Sequence, residues 1–219
     1  IVAIITGGSP INLSEVHELA DAVLMVWYPG EEGGNAVGDI IFGDVSPSGR
    51  LPVTFPQSLD QLPDYEDYSM EGRTYRYMEK QPMYPFGYGL SYTSFEYSDI
   101  KLSSKKIEIN TPVDIKVTVT NTGEYEGDEA VQLYITDIEA TVSVPLYSLK
   151  SFERVTLMPG ESKTVKFTIT PEILKLVNEN GESILEPGEF KITAGGSLPC
   201  IRSEELGMPV HMEAVLKVK

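Results

Sequence analysis

The spacing of apolar residues changes partway along the chain. Ile1-Val2-Ala3-Ile4-Ile5 is an unbroken apolar run, the pattern of a strand covered on both faces and set among parallel neighbours. The strand, Val2–Ile5, ends in the turn Gly7-Gly8-Ser9-Pro10. Leu13, Val16, Leu19, Ala20 and Val23 then recur at helical spacing, with Asn12 and Glu15 placed as a capping-box start. A second buried strand, Ala22–Trp27, overlaps that helix at Val23. Residues 29–34 turn into a second helix with apolar face Ala36, Val37, Ile40 and Ile41 and a C-cap at Gly43. Two consecutive βα units predict a parallel sheet with right-handed crossovers. Two strands are too few to stand alone, and nothing precedes the first. The chain, which opens with Ile1 and not Met, is therefore expected to be a piece of a longer protein whose other part pairs with that strand.

After residue 97 the period falls to two. Val113, Ile115, Val117 and Val119 alternate with Asp114, Lys116, Thr118 and Thr120; Val131, Leu133 and Ile135 alternate with Gln132 and Tyr134. Val165–Ile169, Phe190–Ala194 and Met212–Val218 follow the same rule. Each predicts a strand with one face inside and one in water. Asn121-Thr122-Gly123, Pro159-Gly160, Asn180-Gly181 and Pro187-Gly188 mark the turns. Cys200 is the only cysteine, so no internal disulfide is possible. About seven short strands without a cysteine pair fit a fibronectin type III-like sandwich. The expected fold is thus an α/β fragment, the end of a parallel-sheet α/β sandwich domain, over residues 1–55. A connector follows over 56–97, then the all-β sandwich over 98–219. The connector holds eight of the twelve tyrosines. So many rings are costly to leave in water, which places the segment across a domain interface.

Charge narrows the partners. Seventeen basic against 33 acidic side chains give a net −16. Such a surface repels phosphate backbones and anionic lipid, arguing against nucleic acid and membrane docking. No apolar run approaches the ~18 residues of a membrane span, and no signal peptide is visible. With only His17 and His211 beside Cys200, a His/Cys metal site is close to excluded, and no cofactor is implied.

Candidate chemistry is sparse. Gly7-Gly8-Ser9-Pro10 sits where phosphate loops sit, yet it lacks the Lys-Ser/Thr pair and the G-x-G-x-x-G spacing; it reads as a tight turn. Glu31 and Glu32 stand at a helix start, where the dipole favours carboxylates. They also stand at a strand's carboxyl end, where parallel sheets bind ligands. Ser9, Glu31 and Glu32 are therefore the substrate-proximal candidates. Asp64, Glu66, Asp67 and Glu71 read as a carboxylate pair for glycoside hydrolysis, a Ca²⁺ site or an exposed acidic loop. Arg73, Tyr75 and Tyr77, with Tyr88, read as interdomain packing through guanidinium–ring stacking. His17 reads as a surface residue and Cys200 as a small buried one. No Ser/His/Asp triad can be built from two isolated histidines.

Several strings resemble the C-terminal half of glycoside hydrolase family 3. They are Trp27-Tyr28-Pro29-Gly30-Glu31-Glu32-Gly33-Gly34-Asn35-Ala36, Phe42-Gly43-Asp44 and Pro47-Ser48-Gly49-Arg50-Leu51-Pro52-Val53-Thr54-Phe55-Pro56. Pro85-Phe86-Gly87-Tyr88-Gly89-Leu90-Ser91-Tyr92-Thr93 is the most specific, followed by Val119–Gly123, Val131–Tyr134 and Pro159-Gly160-Glu161. The resemblance implies a parent with an N-terminal catalytic barrel, an α/β sandwich and a fibronectin type III-like domain. Its activity would be that of a retaining, exo-acting β-xylosidase or β-glucosidase working with two carboxylates. Both carboxylates belong to stretches upstream of Ile1, so no catalytic residue is assigned in this chain, which supplies scaffold. The expected partners are the parent's barrel, the rest of its α/β domain and an oligo- or disaccharide. A periplasmic or secreted location is implied by analogy. Tyr65–Tyr77 resembles the β-xylosidase-like branch more than the β-glucosidase branch. The competing reading is a non-catalytic carbohydrate-binding or surface-adhesion module, with tyrosines stacking on sugar rings.

Overall fold

The computed structural model describes all residues, 1–219. The first part is β1 (Val2–Thr6), α1 (Ser14–Leu19), β2 (Ala22–Trp27) and α2 (Gly33–Phe42). β1 and β2 form a two-stranded parallel sheet, with Val2 opposite Ala22 and Ile5 opposite Met25. The expected burial of β1 on both faces does not hold. Val2 and Ile4 are about half exposed and Ile1 almost fully so, because β2 is the only strand paired with β1. α1 begins at Ser14, and no capping box forms. Asn12 Oδ1 instead accepts from the Ser14 N–H (2.9 Å) and Ser14 Oγ (2.7 Å), an Asx turn that competes with the cap. Val23 belongs to β2 alone. Gly43 does close α2, left-handed at φ 85°, which the lack of a Cβ permits. On α2, Val37 and Ile40 are half-buried, whereas Ala36, Ile41 and Phe42 face outward.

The middle segment contains one 3₁₀ turn (Leu59–Gln61) and α3 (Thr74–Tyr77). The sandwich comprises β3 (Phe95–Leu102), β4 (Lys106–Ile107), β5 (Val113–Asn121), β6 (Gly127–Asp137), β7 (Ser148–Leu157) and β8 (Ser162–Ile169). Then come α4 (Pro171–Leu174), β9 (Leu176–Val177), β10 (Ser183–Ile184), β11 (Gly188–Gly195), α5 (Ile201–Glu205) and β12 (Met212–Val218). One sheet has the order β4-β12-β11-β6-β7 and the other β3-β5-β8, with β9 and β10 forming a small hairpin. Its first strand starts at Phe95, inside the stretch read as connector, because Phe95 and Tyr97 are both core residues.

Between the sheets lie 21 buried side chains, Ile115, Val117, Val119, Val131, Leu133, Val165, Ile169, Ile192 and Leu216 among them. The inward phases of β5, β6, β8 and β11 are those that alternation predicts. β7 carries no clean alternation: a bulge opposite Leu133/Tyr134 interrupts it and Phe152 faces water. β6 departs most. Gln132 and Tyr134 occupy its outward phase, yet both are buried, because the chain around Phe86–Gly87 lies across that face. A second, small core of Leu13, Phe55, Met83 and Tyr84 holds the α/β part.

Asn121 ends β5 fully buried. Its Oδ1 accepts from Thr93 Oγ1 (2.6 Å) and the Gly123 N–H (3.0 Å), and its Nδ2 donates to the carbonyls of Tyr125 (2.7 Å) and Leu157 (3.0 Å). Asn121→Ala leaves several of these groups dry and unpaired, so a loss of about 3 kcal/mol is expected in urea unfolding. An effect below about 1 kcal/mol would mean that water replaces the amide.

Candidate functional site

Two regions carry polar geometry beyond routine packing: the carboxyl end of the β1–β2 pair, and the seam between the α/β part and the sandwich.

At the sheet end, the register slips between Ile5 and Thr6, so Thr6 pairs with Trp27. Trp27 takes φ 51°, a rare conformation for a bulky side chain. The chain then swings Tyr28 over the first turn, where a Cβ at Gly8 would lie 2.8 Å from the Tyr28 ring. The turn at Gly8 and the Tyr28 ring are thereby brought together. Glu32 is the N-cap residue of α2, and its Oε2 accepts from Asn35 Nδ2 at 2.5 Å. Ser9, Glu31 and Glu32 are all exposed. Nothing near them has the arrangement of a nucleophile with its base.

The acidic cluster of the middle segment works on its own backbone. Asp64 Oδ1 accepts from the Glu66 N–H (3.1 Å) and Asp67 Oδ1 from the Ser69 N–H (2.8 Å). Those Ser69 contacts hold the Asp67 carboxyl below its ordinary range. Arg73 Nη2 donates to the carbonyls of Asp64 (2.6 Å) and Asp67 (3.0 Å). Arg73 therefore fastens its own loop. No three His, Cys, Asp or Glu side chains are grouped so as to hold a metal ion.

The seam is built by tyrosines and by a buried ion pair. Tyr75 stacks on Phe86 (4.2 Å between centroids), meets Tyr134 edge-on (6.3 Å), and its hydroxyl accepts from the Leu149 N–H at 3.3 Å. Tyr88 stacks on Tyr84 at 5.7 Å and donates to the Leu206 carbonyl; burial pushes its phenol up to about 12. Tyr77 is half-buried with the Arg76 guanidinium 5.9 Å from its ring centre. By contrast, Tyr65 and Tyr68 are 87% and 85% exposed, so they are not packing elements in this chain. His17, though exposed, is bonded through Nδ1 to the Tyr84 hydroxyl at 2.8 Å. Cys200 is only half-buried, its sulfur 3.5 Å from Ser203 Oγ.

Deeper in the seam, Arg50 of the Pro47–Arg50 stretch forms an ion pair with Glu129 of β6. Glu129 is 0% exposed and also accepts from the Tyr97 hydroxyl at 2.6 Å. Burial pushes the Glu129 carboxyl above its ordinary 4.5, against the opposing pull of Arg50 and Tyr97. Next to it, Gln132 Nε2 donates to the carbonyls of Gly196 (2.7 Å) and Gly87 (3.2 Å), and the Tyr134 hydroxyl donates to Gln132 Oε1 at 2.5 Å. A second clamp runs from Arg154 of β7 to Ser48 Oγ (2.8 Å) and to Asp128. Tyr92 donates to the Ile40 carbonyl at 2.6 Å, tying α2 to the start of the sandwich.

Glu129 and Gln132 went unassigned from sequence. Glu129 did carry a signal: it shares the inward phase of Val131, Leu133 and Ile135, where a carboxylate must be paired. Arg50 carried none, since its partner is 79 residues away.

The glycosyl hydrolase family 3 C-terminal domain matches residues 1–92, and the fibronectin type III-like domain matches residues 129–198. A periplasmic beta-glucosidase of Salmonella typhimurium is 44% identical over 207 residues, covering 89% of this chain and 27% of that protein. A beta-xylosidase of Formosa agariphila is 40% identical over 202 residues, covering 90% and 28%. Among solved structures, a b-glucosidase of Erythrobacter marinus superposes with TM-score 0.85 at 36% identity, covering all of this chain and 28% of the other. A mutant beta-glucosidase of Listeria innocua, in complex with laminaribiose, gives 0.81 at 33%, covering 100% and 30%. The chain thus spans somewhat over a quarter of these relatives' length.

Proposed function

The chain belongs to glycoside hydrolase family 3, as its C-terminal portion, and we propose that the protein carrying it is a retaining, exo-acting β-glycosidase for β-xylosides or β-glucosides. Within it this chain is the framework, and the two catalytic carboxylates lie in the other part. The observation that carries this reading is a mismatch of surfaces. The seam toward the sandwich is sealed by a buried ion pair, whereas the β1–β2 sheet and α2 expose Ile1, Val2, Ile4, Ile41 and Phe42. An apolar surface of that kind marks a contact face. The N-terminal barrel and the rest of the α/β domain are the partners that would cover it. Ser9, Glu31 and Glu32 then line the rim of the sugar cleft at the strand ends. A periplasmic or secreted location is supported by the name of one relative, and no helix is long and apolar enough to cross a membrane.

The test is hydrolysis of aryl β-xyloside and β-glucoside. The full-length protein is expected to turn over at least one of them, with the first-formed sugar keeping the β configuration by NMR. The 219-residue chain alone is expected to be inactive. Robust turnover by the isolated chain would put both carboxylates inside it and sink the assignment. In the full-length protein, Glu31→Gln or Glu32→Gln is expected to raise KM several-fold through a lost hydroxyl contact. Unchanged kcat and KM for both variants would remove them from the cleft.

A further inference from the structure

Lys150 is the half-buried lysine that lacks a countercharge. Lys175, Lys191 and Lys217 are also half-buried, and they pair with Glu172, Glu213 and Glu189. Lys150 is the extra residue of the β7 bulge as well. Leu149 pairs with Tyr134 and Ser151 with Leu133, which leaves Lys150 without a partner on β6. Bulges re-aim a side chain. The same stretch of chain is fastened to α3: the Leu146 N–H donates to the Arg76 carbonyl (2.7 Å) and the Leu149 N–H to the Tyr75 hydroxyl (3.3 Å). Arg76 is thereby held near Lys150. Burial first, and then the Arg76 charge, lower the Lys150 ammonium from its ordinary 10.5. Arg76 has no carboxylate partner either, and its guanidinium lies over the Tyr77 ring. Two cations thus stand together unpaired in a chain whose acidic side chains outnumber its basic ones by 33 to 17.

The surroundings favour a protein carboxylate over a free anion as the occupant. Phe152 follows two residues later on β7. It pairs with Gln132, so its ring lies on the sheet face that Gly87 covers at Gln132. Yet Phe152 is 68% exposed. The face toward the α/β part therefore runs on beyond what this chain covers. This chain brings only two strands, β1 and β2, to that part. A protein surface laid over Phe152 gains by removing its ring from water. It also strips water from Lys150 and Arg76, which is costly unless it supplies a negative charge. A small anion would neutralise the cations and leave the ring in water.

We propose that Arg76 and Lys150 form a socket for an aspartate or glutamate side chain from the rest of the α/β domain, which packs over Phe152. This rests on the reading above that the chain is the framework part of a larger protein. The test is carbodiimide coupling of the full-length protein, followed by peptide mapping. The reagent activates a carboxyl, Lys150 Nζ displaces it to form an amide, and the reagent leaves as its urea. The Lys150 peptide is expected to be joined to one acidic residue outside residues 1–219 of the same molecule. Coupling between light and heavy molecules in an isotopic mixture would assign the socket to a second copy, and coupling inside residues 1–219 to this chain. Either result overturns the proposal, as does a Lys150 peptide that stays uncoupled. In the same protein Lys150→Met is expected to lower Tm by several degrees, because it strands the docked carboxylate, whereas Lys150→Arg keeps most of the stability. A Lys150→Met variant as stable as wild type, or more stable, would show that only a repelling charge had been removed, and the socket would fall. Inorganic phosphate that raises the Tm of wild type but not of Lys150→Met would point to a free-anion site and overturn it too. Coupling is read without substrate, so a protein inactive on every aryl glycoside would overturn the glycosidase assignment and not the socket.

Discussion

Arg50→Met is expected to destabilise the protein by about 3–5 kcal/mol, the cost of leaving a buried charge without its partner. Glu129 is fully buried, and in the variant it keeps the Tyr97 hydroxyl but no countercharge. The loss should depend on pH. Burial already raises the Glu129 carboxyl above 4.5 even with Arg50 in place, and without the guanidinium it rises further. A carboxyl raised in the folded state binds its proton more tightly folded than unfolded, so stability falls as pH climbs from 4.5 through the raised value. The variant should therefore be closer to wild type near pH 5 than at pH 8. Asp128 works in the opposite sense. Its carboxyl is held below 3.8, first by the Thr156 hydroxyl and then by Arg154, so its contribution is present above that value and is lost as pH falls below it. Urea unfolding at both pH values reads the difference. An Arg50→Met variant equally weak at pH 5 and 8 would show that its cost is lost packing and not an unpaired charge. Adding Glu129→Leu and Tyr97→Phe should recover most of the stability, because an apolar replacement leaves no dry polar group.

Phe55→Ala is the second large expected effect, at about 3–5 kcal/mol, and it should act on one part of the molecule. The α/β part rests on four buried side chains, and Phe55 is central among them, with Trp27 and Tyr84 at 6.4 and 6.3 Å. Its backbone also pairs with Met83 and Tyr84. The sandwich has its own 21-residue core. Hydrogen exchange in the variant should therefore show β1, β2 and α2 losing protection while β5, β6 and β11 keep theirs. A uniform loss over the whole chain would mean that the seam makes one cooperative unit of the two parts.

Much of this was legible along the chain. The βα order of the first part, the Gly43 cap and the inward phases of β5, β6, β8 and β11 follow from local rules of period and turn chemistry. The family strings added what the periods could not, the expectation of a parent with an N-terminal catalytic barrel. Local rules failed where a competing partner, near or remote, drew the side chain away. Asn12 suited a helix cap, but Ser14 drew its carbonyl into an Asx turn. Arg73 was expected at the interface, but the carbonyls of its own loop lie nearer. Of the eight tyrosines in the middle segment, composition predicted one shared fate. The structure divides them into rings that pack, such as Tyr75 and Tyr88, and rings that face water, Tyr65 and Tyr68.

Taken alone, the order of residues determined which positions turn inward within each strand, because side-chain direction there depends only on the alternation of the backbone. Tertiary structure alone decided which outward positions would be dry. Gln132 and Tyr134 point away from the sandwich core and are buried all the same, and Glu129 finds its countercharge across the seam, because segments carrying Arg50 and Gly87, 79 and 45 residues away along the chain, come to rest there. Alternation reports a strand's own two faces. It carries no record of what a remote loop will lay against them.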